Sequence, residues 1–325
     1  MRVANSLKER RFAIAVLFAS ALIALFGNHA SPMALRLGKK TSFRSFCRVV
    51  ALLVVAVHAA PAQEAADTGL RWRALTGLVE VAVADKYIYN GYVIQDQGPI
   101  VQPYFELAEE FYTGSGLLTS ASVTFSFFSS FQSREDGATH TAAPGHWLYE
   151  TEFDSGIKLE LAKRFAVSVQ YVRFESPIDA YQPSNAIRLT LTWDDKDLPG
   201  WFALQPYIAW LAPVPFGWND GGGNYFEVGI TPSTTVARES RYPITFTFPI
   251  NAGFGDDTYY PGDPFGYVSI SISASVPLAF LPKDCGEWKF GATGTYYHLG
   301  PAAADLSNDG DRSQSVFTAT LSMEF

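Results

Sequence analysis

Residues 313–325 read Ser-Gln-Ser-Val-Phe-Thr-Ala-Thr-Leu-Ser-Met-Glu-Phe. Phe317, Ala319, Leu321, Met323 and Phe325 fall on one face of an extended chain, and Thr318, Thr320, Ser322 and Glu324 on the other. This is the period-two pattern of a strand with one apolar and one polar face, and it runs to the last residue. Free ends of soluble sheets fray and carry a few polar residues. An alternating strand closed by an aromatic residue points instead to a sheet whose last strand pairs with its first.

The same alternation recurs upstream. Ala121, Val123, Phe125 and Phe127 alternate with Ser120, Ser122, Thr124 and Ser126; Val268, Ile270, Ile272, Ala274 and Val276 alternate with Ser269, Ser271, Ser273 and Ser275. Ile187, Leu189, Leu191 and Trp193 alternate with Arg188, Thr190 and Thr192, while Ile244–Ile250 keeps the pattern less strictly. About twelve segments share it, most of them near the 9–11 residues that a tilted membrane strand needs. They run Leu78–Tyr89, Ile100–Glu109, Leu118–Phe131, Trp147–Leu161, Phe165–Phe174, Ala186–Trp193, Phe202–Leu211, Tyr225–Thr234, Ile244–Phe254, Phe265–Leu278, Trp288–Leu299 and Ser315–Phe325. Links alternate in length. Ala162–Arg164, Asp195–Gly200 and Ala237–Tyr242 are short; Gln132–His146, Ser176–Asn185, Pro213–Asn224, Asp256–Pro264 and Gly300–Arg312 are long. Ala279–Glu287 is long for a turn. Short turns on one side, long loops on the other and an even strand number predict an all-β fold: a transmembrane antiparallel up-and-down barrel of about 12 strands. Both termini then lie in the periplasm.

Composition agrees. Charged residues make up 17% and aromatics 15%, yet mean hydropathy is only +0.05. Apolar residues are therefore interleaved with polar ones, which does not suit stacked apolar helices. A secreted soluble β-sandwich would also alternate. The aromatic-rich apolar face and the uncapped Phe325 favour the barrel.

Residues 1–62 differ in kind. Met33 opens a basic start with Arg36, Lys39 and Lys40, an apolar run follows over Val49–Ala60, and Ala60-Pro61-Ala62 supplies a small-residue cleavage site. These predict a signal peptide over 33–62, with 1–32 an over-extended start or extra leader. The earlier apolar run Phe12–Phe26 leaves two membrane anchors as the competing reading, though each run is shorter than a bilayer-spanning helix requires. Residues 63–77 read as a periplasmic segment and 78–325 as the barrel. After residue 62 the chain keeps 15 basic and 31 acidic residues, an acidic balance that argues against a nucleic-acid partner. Of its two cysteines, Cys47 lies in the leader without a lipid-attachment context, and Cys285 alone remains, so no intramolecular disulfide is expected.

Asp85–Phe105 reads Asp-Lys-Tyr-Ile-Tyr-Asn-Gly-Tyr-Val-Ile-Gln-Asp-Gln-Gly-Pro-Ile-Val-Gln-Pro-Tyr-Phe. It resembles the first hairpin of the TorF-like family of bacterial porins, where a Lys-Tyr-aromatic-Arg-Gly strand precedes a short loop and a second strand. Asn90 stands where that group usually has Arg. Phe265-Gly-Tyr-Val268, Val276-Pro-Leu278, Gly286-Glu-Trp288 and Leu299-Gly300 are similar to barrels of this broad kind. The resemblance covers the two ends of the 63–325 segment better than its middle. It implies a porin-like barrel without a defined solute. Phe325 also resembles the terminal aromatic of outer-membrane proteins, which implies recognition by the barrel-assembly machinery.

Glu80, Lys86, Glu106, Lys158, Glu160, Arg188, Glu227 and Lys289 are the candidate lumen-lining residues. A basic residue facing lipid at mid-depth costs about 2–4 kcal/mol, so these charges belong inside. They line a pore, or they pair into a network that plugs it. Tyr87, Tyr89, Tyr104, Trp193, Trp210 and Trp288 are the candidate aromatic girdles. Asp305–Asp311 has oxygen donors at alternate positions, but Val316 stands where a calcium loop needs its bidentate Glu, so a flexible polar loop is expected. His140 and His146, near Glu135 and Asp136, read as a solvated loop, and His298 has no serine beside it in sequence. Gly221–Gly223 reads as a loop tip. No catalytic motif, metal site or cofactor site is expected. The expected partners are outer-membrane lipid, the assembly machinery and small polar solutes, and the expected function is passive diffusion through a porin-like channel. The alternatives are a closed barrel acting through its loops, and a barrel enzyme.

Overall fold

The computed structural model describes residues 75–132, 147–196, 203–214, 222–281 and 286–325. The leader, residues 63–74, His140, His146 and Cys285 lie outside the described residues.

Twelve staves close into one antiparallel barrel. In chain order they are β1 (Leu75–Ala84), β4 (Ile100–Thr113), β5 (Leu118–Gln132), β6 (Leu148–Leu161), β7 (Phe165–Glu175), β8 (Ser184–Trp193) and β9 (Tyr207–Pro213). Then come β10 (Tyr225–Ile230) with β11 (Ser233–Val236), β12 (Ile244–Thr247) with β13 (Ile250–Gly255), β14 (Phe265–Pro277), β15 (Glu287–Leu299) and β16 (Ser313–Glu324). β10/β11 and β12/β13 are each one stave broken in the middle. Pro232 and Pro249 stand at the breaks, and neither can donate to a ladder. Their carbonyls still accept, from Phe248 N–H at 2.8 Å and Ser271 N–H at 2.8 Å, so the wall stays continuous.

Closure is made by β1 on β16, with Leu78 opposite Glu324 and Ala84 opposite Thr318. Phe325 extends this seam: its N–H donates to Gly77 O at 3.0 Å and its carbonyl accepts from Gly77 N–H at 2.9 Å. The ring lies over Gly77, where a Cβ would sit 2.5 Å from Phe325 Cζ. Glycine is required there by that close approach. A closed cylinder leaves no edge, so every stave of the wall has two partners.

Register sorts the side chains into two faces. The outer face is apolar and open: Phe317 is 65%, Ile272 59% and Ile270 52% exposed. Ser126, Asp154, Ser269 and Ser271, all on the inner face, are buried. Large exposed apolar residues around buried polar ones invert the arrangement of a soluble protein. That inversion is what a barrel solvated by lipid requires.

Two elements depart from the sequence reading. The segment Leu78–Tyr89 is not one strand. β1 ends at Ala84, and a separate hairpin follows, β2 (Tyr87–Tyr89) paired only with β3 (Tyr92–Gln95). Asn90 and Gly91 are its turn, with φ of 47° and 80°. Positive φ at both central residues is the twisted two-residue turn that Asn-Gly favours, which accounts for Asn at this position. In the link Gly300–Arg312, where Asp305–Asp311 was expected to be a flexible polar loop, a short helix, α1 (Pro301–Ser307), takes up the first part, started by a proline that needs no N–H partner there. Ser307 is committed: its hydroxyl donates to Ala303 O at 2.7 Å and accepts from Val93 N–H at 2.9 Å.

Candidate functional site

The links joining β1 to β4, β7 to β8, β9 to β10, β13 to β14 and β15 to β16 share one end of the barrel, here the loop end; the opposite end is the turn end. The β2–β3 hairpin starts from the loop end and crosses the lumen. On one side Tyr87 Oη donates to Glu150 Oε2 at 2.6 Å, and the Tyr87 ring lies 6.2 Å from Phe128. Tyr89 meets Phe174 edge-on at 6.0 Å. On the far side Asn90 Nδ2 donates to Tyr259 Oη at 2.8 Å, Tyr260 Oη donates to the Asn90 carbonyl, and Tyr92 Oη to the Tyr259 carbonyl. Val93 is buried with Tyr225, Tyr260, Tyr267, Leu299 and the three alanines of α1. At its base Lys86 Nζ donates to Gln314 Oε1 at 2.6 Å. The hairpin is thus a strap tied to β5, β6 and β7 on one side and to β14, α1 and the 256–264 loop on the other.

Two polar clusters lie beneath it. Arg188 forks between Glu152 Oε1 at 2.8 Å and Asp154 Oδ2 at 2.9 Å. The three come from β8 and β6, with β7 between them. Glu150, one step nearer the loop end, accepts from Tyr87 and, at 3.0 Å, from Tyr181 Oη. Across the lumen Glu227 accepts from Tyr207 at 2.6 Å, from Tyr225 at 2.7 Å and from Tyr267. These tyrosines bring their own hydroxyl donors to the buried Glu150 and the half-buried Glu227, as acceptors withdrawn from water require.

The loop region is fastened separately. Asp256 Oδ2 accepts from both the backbone and side-chain amides of Asn224 at 2.8 Å, and Oδ1 from Tyr259 N–H at 3.0 Å. The Asn224 hydrogen bonds, backbone first, hold the Asp256 carboxyl below its ordinary pKa. Gly223 is more than a loop tip. A Cβ there would stand 2.2 Å from Tyr259 N, so glycine lets two loops meet. Between the strap and β7–β9 is a cavity of about 230 Å³ lined by Tyr89, Tyr149, Phe174, Tyr181 and Tyr259, with Glu150 in its wall.

The turn end is built differently. Ser271 bonds Thr295 at 2.9 Å, Ser273 bonds Thr293 at 2.8 Å and Thr235 bonds Thr245 at 3.0 Å, all sideways between neighbouring staves. Lys158 pairs with Glu160 at 3.3 Å and Lys289 with Glu324 at 2.7 Å, each pair about half exposed.

Glu80, Glu106, Lys158, Glu160, Arg188, Glu227 and Lys289 share the inner face by register, and Lys86 sits on the link into the hairpin. They do not form one site. Only Lys86, at the base of the strap, and Arg188 and Glu227, beneath it, belong to the strapped region. Glu150, Glu152 and Asp154, which carry most of its charge, are absent from the sequence-based set, although their period-two spacing in one segment is a readable signal.

The girdle expectation fails for three residues. Tyr87 and Tyr89 are on the strap, and Tyr104 faces inward, its hydroxyl donating to Glu106 at 2.6 Å. Trp193 and Trp210 do face outward, stacked on Phe165 and Phe226, and Trp288 lies opposite Met323 on the same face. Register also sets Ser313 opposite His298, a neighbour that linear sequence does not reveal. The Ser313 hydroxyl is bonded to Tyr296 Oη at 3.2 Å, and no hydrogen bond joins Ser313 to His298 among the described residues.

No protein-family model and no curated protein matches this chain. Among solved structures it is similar to an outer-membrane channel from Pseudomonas putida F1, at 9% identity, covering 81% of this chain and 100% of that one, with a TM-score of 0.43. LpxR from Salmonella typhimurium gives 8%, 76%, 99% and 0.41 on the same measures. The translocator domain of the autotransporter NalP from Neisseria meningitidis gives 10%, 87%, 95% and 0.37.

Proposed function

We propose that this chain is an outer-membrane channel for passive diffusion of small hydrophilic solutes, with the β2–β3 strap narrowing its loop end. The supporting observation is the turn-end wall. Twelve strands about 4.8 Å apart and tilted about 40° close at a radius of about 12 Å. Ser271, Ser273, Thr293 and Thr295 are too short to fill such a width, and they bond sideways to each other and not across it. The long side chains at this end do not span it either: Lys158 pairs with Glu160 on its own strand and Lys289 with Glu324 on the neighbouring one, each pair about half exposed. In this reading the apolar band faces outer-membrane lipid of a Gram-negative-type envelope, both termini are periplasmic, the leader is removed on export, and Phe325 is the handle for the assembly machinery. Transport needs no bond chemistry and no cofactor.

Planar-bilayer recording of the purified protein tests this. Stepwise conductance supports the channel; a correctly folded barrel that stays silent over a wide voltage range overturns it. The strap supports the second reading, a closed barrel that acts through its loops, because its tyrosines occupy the loop-end lumen from both sides.

A further inference from the structure

We infer that the cavity between the strap and β7–β9 binds a small organic cation whose nitrogen is alkylated, such as a trimethylammonium group.

The inference starts from Glu150. Its side chain is buried at 5% exposure, and its two partners are the hydroxyls of Tyr87 and Tyr181. Both are neutral. The nearby Arg188 is committed to Glu152 and Asp154, and no ion pair reaches Glu150 among the described residues. A carboxylate withdrawn from water with hydrogen bonds but no counter-charge is an incomplete arrangement, and a cation in the adjoining cavity completes it.

The other walls say which cation. Tyr149 and Tyr181 meet at 61° with centroids 5.9 Å apart, and Tyr89 and Phe174 at 68° with centroids 6.0 Å apart. Two pairs of rings set edge to face offer π surfaces in several directions to one half-open cavity. Such surfaces attract a positive charge, and aromatic cages are the recurrent solution for quaternary ammonium. Tyr181 also donates its hydroxyl to a carboxylate, which enriches its ring. Ile94, Ala186, Leu211 and Pro213 add apolar wall, and Ser184, Asn185, Gly222 and Gly223 complete it. Glu150 is the one charged group in this lining, and Asn185 Oδ1 already accepts from Tyr171 and Arg173, so a primary ammonium would find fewer partners than its three N–H groups need while alkyl groups need none. At about 230 Å³ the cavity lies below the range of drug-sized sites, so the ligand is small.

The proposal names a solute class for the channel reading and rests on it for biological meaning, but binding is measurable whether or not the barrel conducts. Isothermal titration calorimetry of the detergent-folded protein would compare choline with its neutral carbon isostere 3,3-dimethylbutan-1-ol, at constant sodium chloride. Saturable choline binding is expected, with the alcohol weaker by roughly tenfold or more, the loss expected when a desolvated cation–π and carboxylate contact is removed. Glu150→Gln and, separately, Tyr149→Leu should each weaken choline by a similar factor while retaining the heat-modifiable mobility of a folded barrel. Equal affinity for the two ligands, no saturation by choline, or wild-type affinity in a folded Glu150→Gln protein each overturns the inference. If a variant fails to fold, the comparison of choline with its isostere on the unaltered protein still decides. A silent barrel that binds choline defeats the channel and spares the site; a conducting barrel that does not bind it does the reverse.

Discussion

Gly91→Val should release the strap without opening the barrel. Gly91 has φ of 80°, and a Cβ there would stand 2.9 Å from Tyr267 Cδ1 and 3.1 Å from Gly266 O. Left-handed backbone costs an L-residue about 1–2 kcal/mol, and a β-branched one more. The contact with Tyr267 pushes the tip away from the wall that Asn90 and Tyr260 hold, which weakens bonds worth about 0.5–1.5 kcal/mol each. Together the docked state should lose about 2–4 kcal/mol relative to the undocked one, and with about 1.4 kcal/mol per tenfold its opening equilibrium rises about 30- to 1000-fold. Amide hydrogen exchange read by mass spectrometry measures this directly, since exchange from locally opened states follows the opening equilibrium. Peptides spanning 87–95 should lose protection by that factor, while peptides from β5 and β6 stay as they were. Asn90→Gly is the matched control. It keeps a residue that tolerates positive φ and removes only the side-chain bond to Tyr259, so a loss of about fivefold is expected. Unchanged exchange at the tip of the Gly91→Val protein would refute the docking argument. So would a loss of protection shared by every strand, which would make the strap part of the barrel's cooperative core.

Arg188→Met should leave Glu152 and Asp154 buried without their cation, at a cost of about 3–5 kcal/mol, read as a lowered urea midpoint of the detergent-folded barrel. Adding Glu152→Gln and Asp154→Asn should recover much of that loss, and failure to recover any would show that packing, not charge, was lost. Phe325→Ala should reduce assembled protein in cells while leaving the melting of barrels refolded in detergent nearly unchanged, since both backbone bonds to Gly77 remain; an equal drop in both would make Phe325 a stability residue only. The Asp256 carboxyl is held below its unfolded value by Asn224, so its tie contributes fully above about pH 4, the ordinary aspartate range, and is lost as pH falls through the folded value. Exchange at Asn224 and Tyr259, corrected for intrinsic rates, should therefore accelerate on acidification below about pH 4, and Asp256→Asn should abolish that dependence.

The staves were legible because lipid outside and polar groups inside impose a period of two that no loop mimics. Val268–Val276 and Phe317–Phe325 show it without interruption. Within it, the outward Trp193 and inward Arg188 follow from parity alone. The strap was not legible as alternation, since Tyr87 and Tyr89 fall on the same odd-numbered face as Val79, Val81 and Val83 of β1 and so read as more of the same strand. The competing signal was present. Asn90-Gly91 between Tyr89 and Tyr92 is a hairpin turn, and a turn there ends any stave at Ala84. Pro232 and Pro249 likewise mark the broken staves. The tyrosine–carboxylate clusters were out of reach for another reason. Tyr207, Tyr225 and Tyr267 meet Glu227 from β9, β10 and β14, and a stave's sequence says which face a residue occupies but not which residues of nearby staves reach it.

The strap follows from the strand number. In an eight-stranded barrel side chains can meet across the axis and fill the interior, but a lumen of about 12 Å backbone radius is beyond the reach of any pair of side chains. Narrowing a twelve-stranded barrel therefore takes backbone, and the β2–β3 hairpin supplies two strands of it. It is anchored by hydroxyl groups and a Lys–Gln contact, with Val93 and Tyr87 as its buried apolar points. A plug meant only to solidify the barrel would be expected to extend through the lumen. This one is fastened at the loop end and stops above the Ser/Thr wall of the turn end, whose hydroxyls bond sideways to one another. That asymmetry favours a constricted passage over a solid support, because a chain that needs only a rigid membrane cylinder reaches it with fewer strands and no strap.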